Sequence, residues 1–215
     1  MSVILKEDHI KIVRKVKKRA LIIHLTSIGL ALLILAIPFY FYLDRTLTLE
    51  VYRVIRSKFD SLSARYKLLT ILRTKTLTIG QALDIANVVM EQKEVPLPLV
   101  LAVMEKESAF KADAVSHKGA RGLMQVMPTI WEMYTNQPFV KETERQMHDP
   151  AMNVRIGVLY LGDLKKRYGD WERTLRAYVG GPTRANDPAM DGYVTSVLMK
   201  RTFYEKEVER RGIPE

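Results

Sequence analysis

An uncharged apolar run is the clearest pattern in the N-terminal third of the sequence. Residues 20–43 read ALIIHLTSIGLALLILAIPFYFYL and contain no Lys, Arg, Asp or Glu. A helix of this length rises about 36 Å at ~1.5 Å per residue, which is enough to cross the hydrocarbon core of a bilayer. Tyr40 and Tyr42 stand at its far end, where an aromatic belt is expected. The pattern therefore predicts a transmembrane helix over residues 20–43.

Two other interpretations of this run fit less well. A cleaved signal peptide has a shorter apolar region followed by a small-x-small cleavage site, which is missing here. A core helix of a globular protein is rarely apolar on every side over such a length. Because positive flanks stay in the cytoplasm, we expect the basic residues 1–19 to lie inside and the rest of the chain outside. The basic residues nearest the run are Lys11, Arg14, Lys15, Lys17, Lys18 and Arg19.

Residues 44–75 alternate between apolar and basic positions at roughly helical spacing. This pattern predicts a basic amphipathic stalk helix, which either lies on the membrane surface or docks on the domain that follows. The apolar positions are Val51, Val54, Ile55, Phe59, Leu62, Tyr66 and Leu69. The basic positions are Arg53, Arg56, Lys58, Arg65, Lys67 and Arg73.

From residue 76 the pattern becomes that of a compact helical domain, which we place at 76–205 with a polar tail at 206–215. One helical stripe joins Ile79, Leu83, Ala86 and Met90. After Pro96 and Pro98, the residues from 99 to 104 are all apolar. A short helix that is apolar on all sides is expected to be the buried centre of its domain.

Charge and composition narrow the function. The formal net charge of +10 comes from residues 1–75, with 15 Lys/Arg against 5 Asp/Glu, whereas residues 76–215 hold 19 of each. A neutral folded domain gives no support to nucleic-acid binding, and the basic segment suits anionic membrane lipid. The chain has no cysteine, which excludes disulfides and thiolate metal sites, and its four histidines show no ligand spacing. No metal and no cofactor are expected.

Glu107 lies near the end of the predicted buried helix and is the candidate catalytic residue. Apolar surroundings raise the pKa of a carboxyl group, and the negative end of a helix dipole also disfavours its ionised form. A carboxyl group that stays protonated near neutral pH can donate its proton to a glycosidic oxygen. Position alone does not separate Glu107 from a solvated glutamate at a helix end.

The sequence around Glu107 adds a resemblance. The stretch EKESAFKADAVSHKGARGLMQVMP holds a Glu107-Ser108 pair, then GLMQ at 122–125 and Met-Pro at 127–128. Downstream come DPAMNVRIGVLYLGDL, which includes Asn153, and AYVGGP. These four ordered elements resemble the soluble lytic transglycosylase family, and the spacing from Glu107 to Gln125 matches that family. The resemblance implies a mainly α, goose-type-lysozyme-like domain, here preceded by a transmembrane helix and a helical stalk.

The resemblance also implies site roles. Glu107 would be the catalytic acid and then the base, and Tyr178 would place its hydroxyl near the catalytic carboxyl group. Substrate would be bound by Ser116, Gly122, Leu123, Met124, Gln125 and Tyr178. One position departs from the family pattern, because Val179 stands where the family has Asn. Lys118 and Arg121 flank the motif and are candidates for meeting peptide-stem carboxylates, although solvated loop charges are the ordinary alternative.

The reaction implied by the resemblance is non-hydrolytic cleavage of the β-1,4 bond between MurNAc and GlcNAc, which leaves 1,6-anhydro-MurNAc ends. Most glycosidases use two carboxylates, but one suffices where the substrate supplies its own nucleophile. Glu105 lies two helical positions from Glu107 and so faces elsewhere. Asp113, Glu132 and Asp149 remain as other carboxylates. The family setting implies a bacterial inner-membrane protein with a periplasmic catalytic domain, acting on peptidoglycan strands alongside secretion or wall-remodelling machinery.

Two alternatives stay open. A lysozyme-like hydrolase on the same fold would need a carboxylate that positions water, and Asp113 is the nearby candidate. A weakly active wall-binding scaffold is supported by Val179 and by the short, anchored form of the chain.

Overall fold

The structure, a computed structural model, describes residues 17–19, 23, 26–27, 45–75 and 77–214. Regular structure in these residues is helical, with isolated antiparallel bridges joining Val115 to Arg121 and Arg121 to Val126. The prediction of a mainly α chain is confirmed. The helices are α1 (Arg45–Leu72), α2 (Ile79–Glu91), α3 (Leu97–Ser108), α4 (Pro128–Thr135), α5 (Lys141–Met147), α6 (Pro150–Tyr168), α7 (Trp171–Gly180) and α8 (Asp191–Arg211), with short 3₁₀ turns at Pro182–Arg184 and Pro188–Met190.

Local sequence signals fix where several of these helices begin. Thr78 accepts a hydrogen bond from the backbone of Gln81, whose side chain accepts in return from the backbone of Thr78. This reciprocal pair is a capping box, and it starts α2. Asp149 caps α6 by accepting from the backbone amide of Met152 at 2.8 Å. Proline occupies the first turn of α3, α4 and α6, where its missing amide proton costs nothing.

Helix α3 is the centre of the hydrophobic core, as its sequence predicts. Every residue from Leu97 to Met104 is buried. The helix packs most extensively against α8, while α6 packs against α2 and α7. Trp131 of α4 is also fully buried, in agreement with the expectation that its large ring fills the core.

The compact unit that contains this core covers residues 62–215, so it extends past the predicted domain bounds of 76–205 at both ends. Four residues from the second half of α1 are buried in the core: Ala64, Leu68, Ile71 and Leu72. At the other end, Val208 and Ile213 are buried too. The ends of this unit meet directly, because Lys67 Nζ donates to the carbonyl of Gly212 at 2.9 Å and Arg211 donates to Thr70 Oγ1 at 2.5 Å.

For residues 62–75, docking on the domain is therefore the interpretation that holds. The face that docks differs from the predicted apolar stripe, since Leu62 and Tyr66 of that stripe are 54% and 68% exposed. Periodicity found the helix but selected the wrong face, because the apolar residues of this segment surround it on more than one side.

Residues 1–61 form the other unit, and only part of it is described. Between 51 and 61, Tyr52, Val54 and Phe59 are exposed, and Arg56 contacts the Tyr52 hydroxyl at 3.2 Å. None of the helices in the described part of the chain is long and apolar enough to cross a membrane. The predicted span 20–43 lies outside the described residues except for Ile23, Thr26 and Ser27.

Candidate active site

Glu107 lies in the last turn of α3, half-buried, with its carboxyl group held by a tyrosine from α8. Tyr193 Oη donates to Glu107 Oε1 at 2.5 Å. Sequence reasoning missed Tyr193, which is 86 residues from Glu107 and belongs to none of the recognised motifs. The packing of α8 against α3 brings the two groups together, and no local pattern reports that packing.

Burial raises the pKa of Glu107 above its ordinary value. The hydrogen bond from Tyr193 and the positive charge of Lys106 both act in the opposite direction, but burial outweighs them. Burial and the Glu107 charge also raise the pKa of Tyr193 and of Tyr178 well above the usual tyrosine value. Both phenols therefore stay protonated and available as donors beside a carboxyl group that favours its protonated form.

Ser108 fastens the end of α3 to the GLMQ turn. Its hydroxyl donates to the carbonyl of Leu123 at 2.9 Å and lies 3.0 Å from the carbonyl of Met104 in its own helix. The position of Glu107 is thus set relative to this turn by the residue that follows it in the chain.

Asn153 holds the other side of the same turn and is completely buried. Its Oδ1 accepts from the backbone amide of Met124, and its Nδ2 donates to the carbonyls of Arg121 and Met147, each at 2.8 Å. Gly122 sits against this amide group with φ of +76°, and a Cβ placed there would lie 2.3 Å from Asn153 Nδ2. The glycine is therefore required both by its backbone conformation and by the close approach of Asn153.

The other predicted substrate-binding residues have roles inside the turn. The side chains of Leu123 and Met124 are fully buried, so only their backbone could meet a ligand. Gln125 has φ of +48°, and its Nε2 donates to the carbonyls of Gly122 at 2.9 Å and Ala114 at 3.2 Å. Ser116 Oγ accepts from the amide of Ala120 at 3.0 Å. Substrate contact by these residues stays a prediction.

Tyr178 joins α7 to the same turn, since its hydroxyl donates to the carbonyl of Met124 at 2.8 Å. Its ring packs 5.6 Å from that of Tyr160, which in turn lies 6.5 Å from that of Tyr134. A row of tyrosines thus runs outward from the Glu107 region. The next residue, Val179, is exposed, so the family's Asn is replaced here by a solvent-facing apolar side chain.

The other carboxylates near the motif are engaged elsewhere or lie in solvent. Glu105 accepts from Lys200 Nζ at 2.5 Å and from the Tyr204 hydroxyl. Burial would raise the pKa of Glu105, but these hydrogen bonds and the nearby lysine charges hold it below its ordinary value. Glu132 accepts from the amide of Phe139 and Asp149 caps α6, while Asp113 is exposed.

Two further candidates from the sequence also receive partners. Arg121 pairs with Glu144 at 2.7 Å and stacks over the ring of Phe139, so it is not a freely solvated loop charge. Lys118 is exposed.

Comparisons with known proteins agree with this arrangement. The model of the transglycosylase SLT domain matches residues 84–191, just over half of the chain. The range holds Glu107, the GLMQ turn, Asn153 and Tyr178, and it ends two residues before Tyr193.

Among curated proteins, membrane-bound lytic murein transglycosylase C of Actinobacillus pleuropneumoniae serotype 5b (strain L20) is 38% identical over 73 residues, which is 33% of this chain and 20% of that protein. The protein of the same name from Haemophilus influenzae (strain PittGG) is 38% identical over 79 residues, 34% of this chain and 21% of its own length. The matched segment thus spans only about a fifth of the length of these curated relatives.

Two solved structures are similar over part of the chain. An inactive mutant of lytic transglycosylase Slt from Pseudomonas aeruginosa is 25% identical, with a TM-score of 0.48, over 60% of this chain and 24% of that one. The 70 kDa soluble lytic transglycosylase of Escherichia coli is 23% identical, with a TM-score of 0.48, over 57% of this chain and 24% of that one.

Proposed function

The chain belongs to the transglycosylase SLT domain family, and from that premise we propose that it is a peptidoglycan lytic transglycosylase. Its reaction is cleavage of the β-1,4 bond between MurNAc and GlcNAc without water, which leaves 1,6-anhydro-MurNAc ends. The observation that carries this proposal is the carboxyl group of Glu107, which is half-buried, has a raised pKa and is held by Tyr193.

In the proposed mechanism one carboxyl group serves twice. Protonated Glu107 donates its proton to the glycosidic oxygen while the acetamido oxygen of MurNAc attacks the anomeric carbon, so the bond to the leaving sugar breaks. The Glu107 carboxylate then takes the proton of the 6-hydroxyl, whose oxygen displaces the acetamido oxygen and closes the anhydro ring. Glu107 regains its proton, no water is consumed, and no second carboxylate is needed.

The geometry gives the neighbouring residues supporting roles in this proposal. Tyr193 holds the carboxylate that forms after the first proton transfer, since a phenol with a raised pKa remains a donor. The GLMQ turn, fastened by Ser108 and Asn153, offers backbone groups to the glycan strand. Ser116, Gly122, Leu123, Met124, Gln125 and Tyr178 form the proposed substrate-binding set.

The test is product release from purified sacculi by the chain and its variants. Glu107→Gln keeps the shape of the side chain but removes the titrating proton, so we expect the rate to fall by about 10² to 10⁴. Glu105→Gln and Asp113→Asn are matched controls that should remain active. A fully active Glu107→Gln variant would overturn the mechanism.

Product masses separate the alternatives. Anhydro ends are one water lighter than hydrolysed ends, so ordinary reducing ends from the unmodified chain would indicate the lysozyme-like hydrolase. A folded but inactive Asp113→Asn variant would indicate a second catalytic carboxylate. A Glu107→Gln chain that still fulfils the biological role would support the wall-binding scaffold.

We also propose that residues 20–43 anchor the chain in the bacterial inner membrane, with residues 1–19 in the cytoplasm and the catalytic unit in the periplasm. The charge asymmetry of the sequence supports this orientation, and the similar proteins are named membrane-bound. Residues 44–61 would then lie near anionic lipid. Protease added outside spheroplasts should digest the C-terminal unit, whereas protection of that unit with cleavage of the N-terminus would reverse the orientation.

A further inference from the structure

A surface hollow of about 360 Å³ lies beside the last turn of α3, and the proposed mechanism does not use it. Its lining residues are Lys75, Glu105, Met199, Lys200 and Phe203, and Glu107 is not among them. The hollow is formed by α3, α8 and the turn that follows α1, all within the unit 62–215.

The surface of this hollow includes two large apolar side chains that face solvent. Met199 is 70% exposed and Phe203 is 56% exposed. They are four positions apart on α8 and therefore lie on one face of the helix. Exposed apolar surface bordered by charges is a usual mark of a binding surface.

The charges of the hollow are unbalanced. Both Glu105 oxygens are occupied, one by Lys200 Nζ and the other by the Tyr204 hydroxyl. The half-buried Lys75 ammonium instead lies 5.0 Å from the ring centroid of Phe110 and 5.3 Å from that of Tyr204. Among the described residues no carboxylate is within ion-pair distance of Lys75, so one cation beside apolar surface lacks an anionic partner.

We propose that this hollow binds a carboxylate of the peptide stem of peptidoglycan, with Lys75 as its counter-ion and the Met199–Phe203 face against the neighbouring methyl groups. The inference rests on the proposed function and names the peptide-bearing form of the strand as substrate. A stem peptide rich in alanine combines carboxylates with methyl groups, which matches an unpaired ammonium beside apolar side chains. Sugar rings would instead require several hydrogen-bonding groups, and the hollow offers few that are unoccupied.

The position of the hollow suits a group attached to the sugar that is cleaved. Lys200 follows Tyr193 by seven residues on α8, which is about 10 Å along the helix axis. Glu105 precedes Glu107 by two residues, about 3 Å along α3. A stem carried by a muramic acid at or next to Glu107 therefore reaches the hollow. Arg121, the alternative suggested by sequence, is already paired with Glu144.

The first experiment compares two substrates with the full chain in detergent. One is peptide-bearing peptidoglycan, and the other is the same glycan after an amidase has removed the stems. Lys75→Gln and Phe203→Ala should each lower kcat/KM about fivefold on the peptide-bearing strand, the effect of one partly exposed charge or apolar contact. Neither should change it on the bare glycan. Lys206→Gln is the matched control, because Lys206 is exposed on α8 and does not line the hollow.

The second experiment detects binding without catalysis, so that it remains informative if the proposed function fails. In the Glu107→Gln chain, a soluble stem tetrapeptide should shift the ¹³C-methyl resonance of Met199. Lys75→Gln should abolish the shift and Lys75→Arg should restore it, and a tetrapeptide with amidated carboxyl groups should give none. Folded variants that bind the peptide like the parent chain, or that lose activity equally on both substrates, would overturn the inference. Absence of anhydro products together with a normal Met199 shift would reject only the proposed function.

Discussion

Replacement of Gly122 by alanine should destabilise the protein strongly, although the change adds one methyl group. The new Cβ would lie 2.3 Å from Asn153 Nδ2, 2.5 Å from Asn153 Cγ and 2.7 Å from the carbonyl oxygen of Met147. All three distances are shorter than real Cβ contacts, and one of them is to backbone. The side chain of Asn153 must therefore move, or the turn must open.

The cost has two parts. A non-glycine residue held at φ of +76° loses about 1–2 kcal/mol from steric strain alone. Displacement of Asn153 breaks up to three buried hydrogen bonds, each with a net value of about 1 kcal/mol. We expect a loss of about 3–5 kcal/mol in the free energy of unfolding, a large fraction of the stability of an ordinary domain.

Urea denaturation of residues 62–215, followed by circular dichroism, measures this loss. That fragment is suitable because every buried hydrophobic residue in the described part of the chain lies within it. The matched control is Gly192→Ala near the start of α8, where a Cβ meets no atom within 4 Å. Alanine favours helices over glycine, so the control should be neutral or slightly stabilising. A loss below about 1 kcal/mol for Gly122→Ala would refute the reasoning, since it would mean that Asn153 does not hold the turn.

Two further predictions concern Tyr193 and the N-terminal bound of the folded unit. Tyr193→Phe removes a hydrogen bond that lowers the pKa of Glu107, so the pKa should rise further and the alkaline limb of kcat/KM should move to higher pH while the maximal rate falls; a pH–rate profile with an unchanged limb would contradict this. A fragment that starts at residue 76 loses the buried side chains of Leu68, Ile71 and Leu72, each with a value of roughly 1.5–3 kcal/mol, so it should melt far below the 62–215 fragment in thermal unfolding, and equal melting temperatures would show that the α1 segment is dispensable.

The sequence predicts the features that depend on local pattern. Six consecutive apolar residues from 99 to 104 predict the buried helix, and the structure places them at the centre of the core. The motif spacing predicts that the GLMQ turn lies close to Glu107, and Ser108 makes that connection through Leu123. Both predictions hold because burial and short-range spacing are properties of neighbouring residues.

The features that sequence reasoning missed depend on which faces meet. The Tyr193–Glu107 contact and the role of Asn153 both join segments far apart in the chain, over 86 and 29 residues. Periodicity shows that a helix has a buried face but does not show its partner, so residues 62–75 could be assigned either to the membrane surface or to the domain. The buried set Ala64, Leu68, Ile71 and Leu72 became evident only from the packing itself.

The surroundings of Glu107 explain how one carboxyl group could serve both steps of the proposed reaction. A strongly buried and isolated carboxyl group would hold its proton too tightly to become a base, and a solvated one would lose it before the first step. Burial raises the pKa of Glu107, whereas Tyr193 and Lys106 each lower it. Opposing effects of this kind bring the pKa closer to the working pH, where proton donation and proton acceptance are both accessible. The same balance would be lost with either partner, so removal of Lys106 charge should move the pKa of Glu107 in the same direction as loss of the Tyr193 hydroxyl.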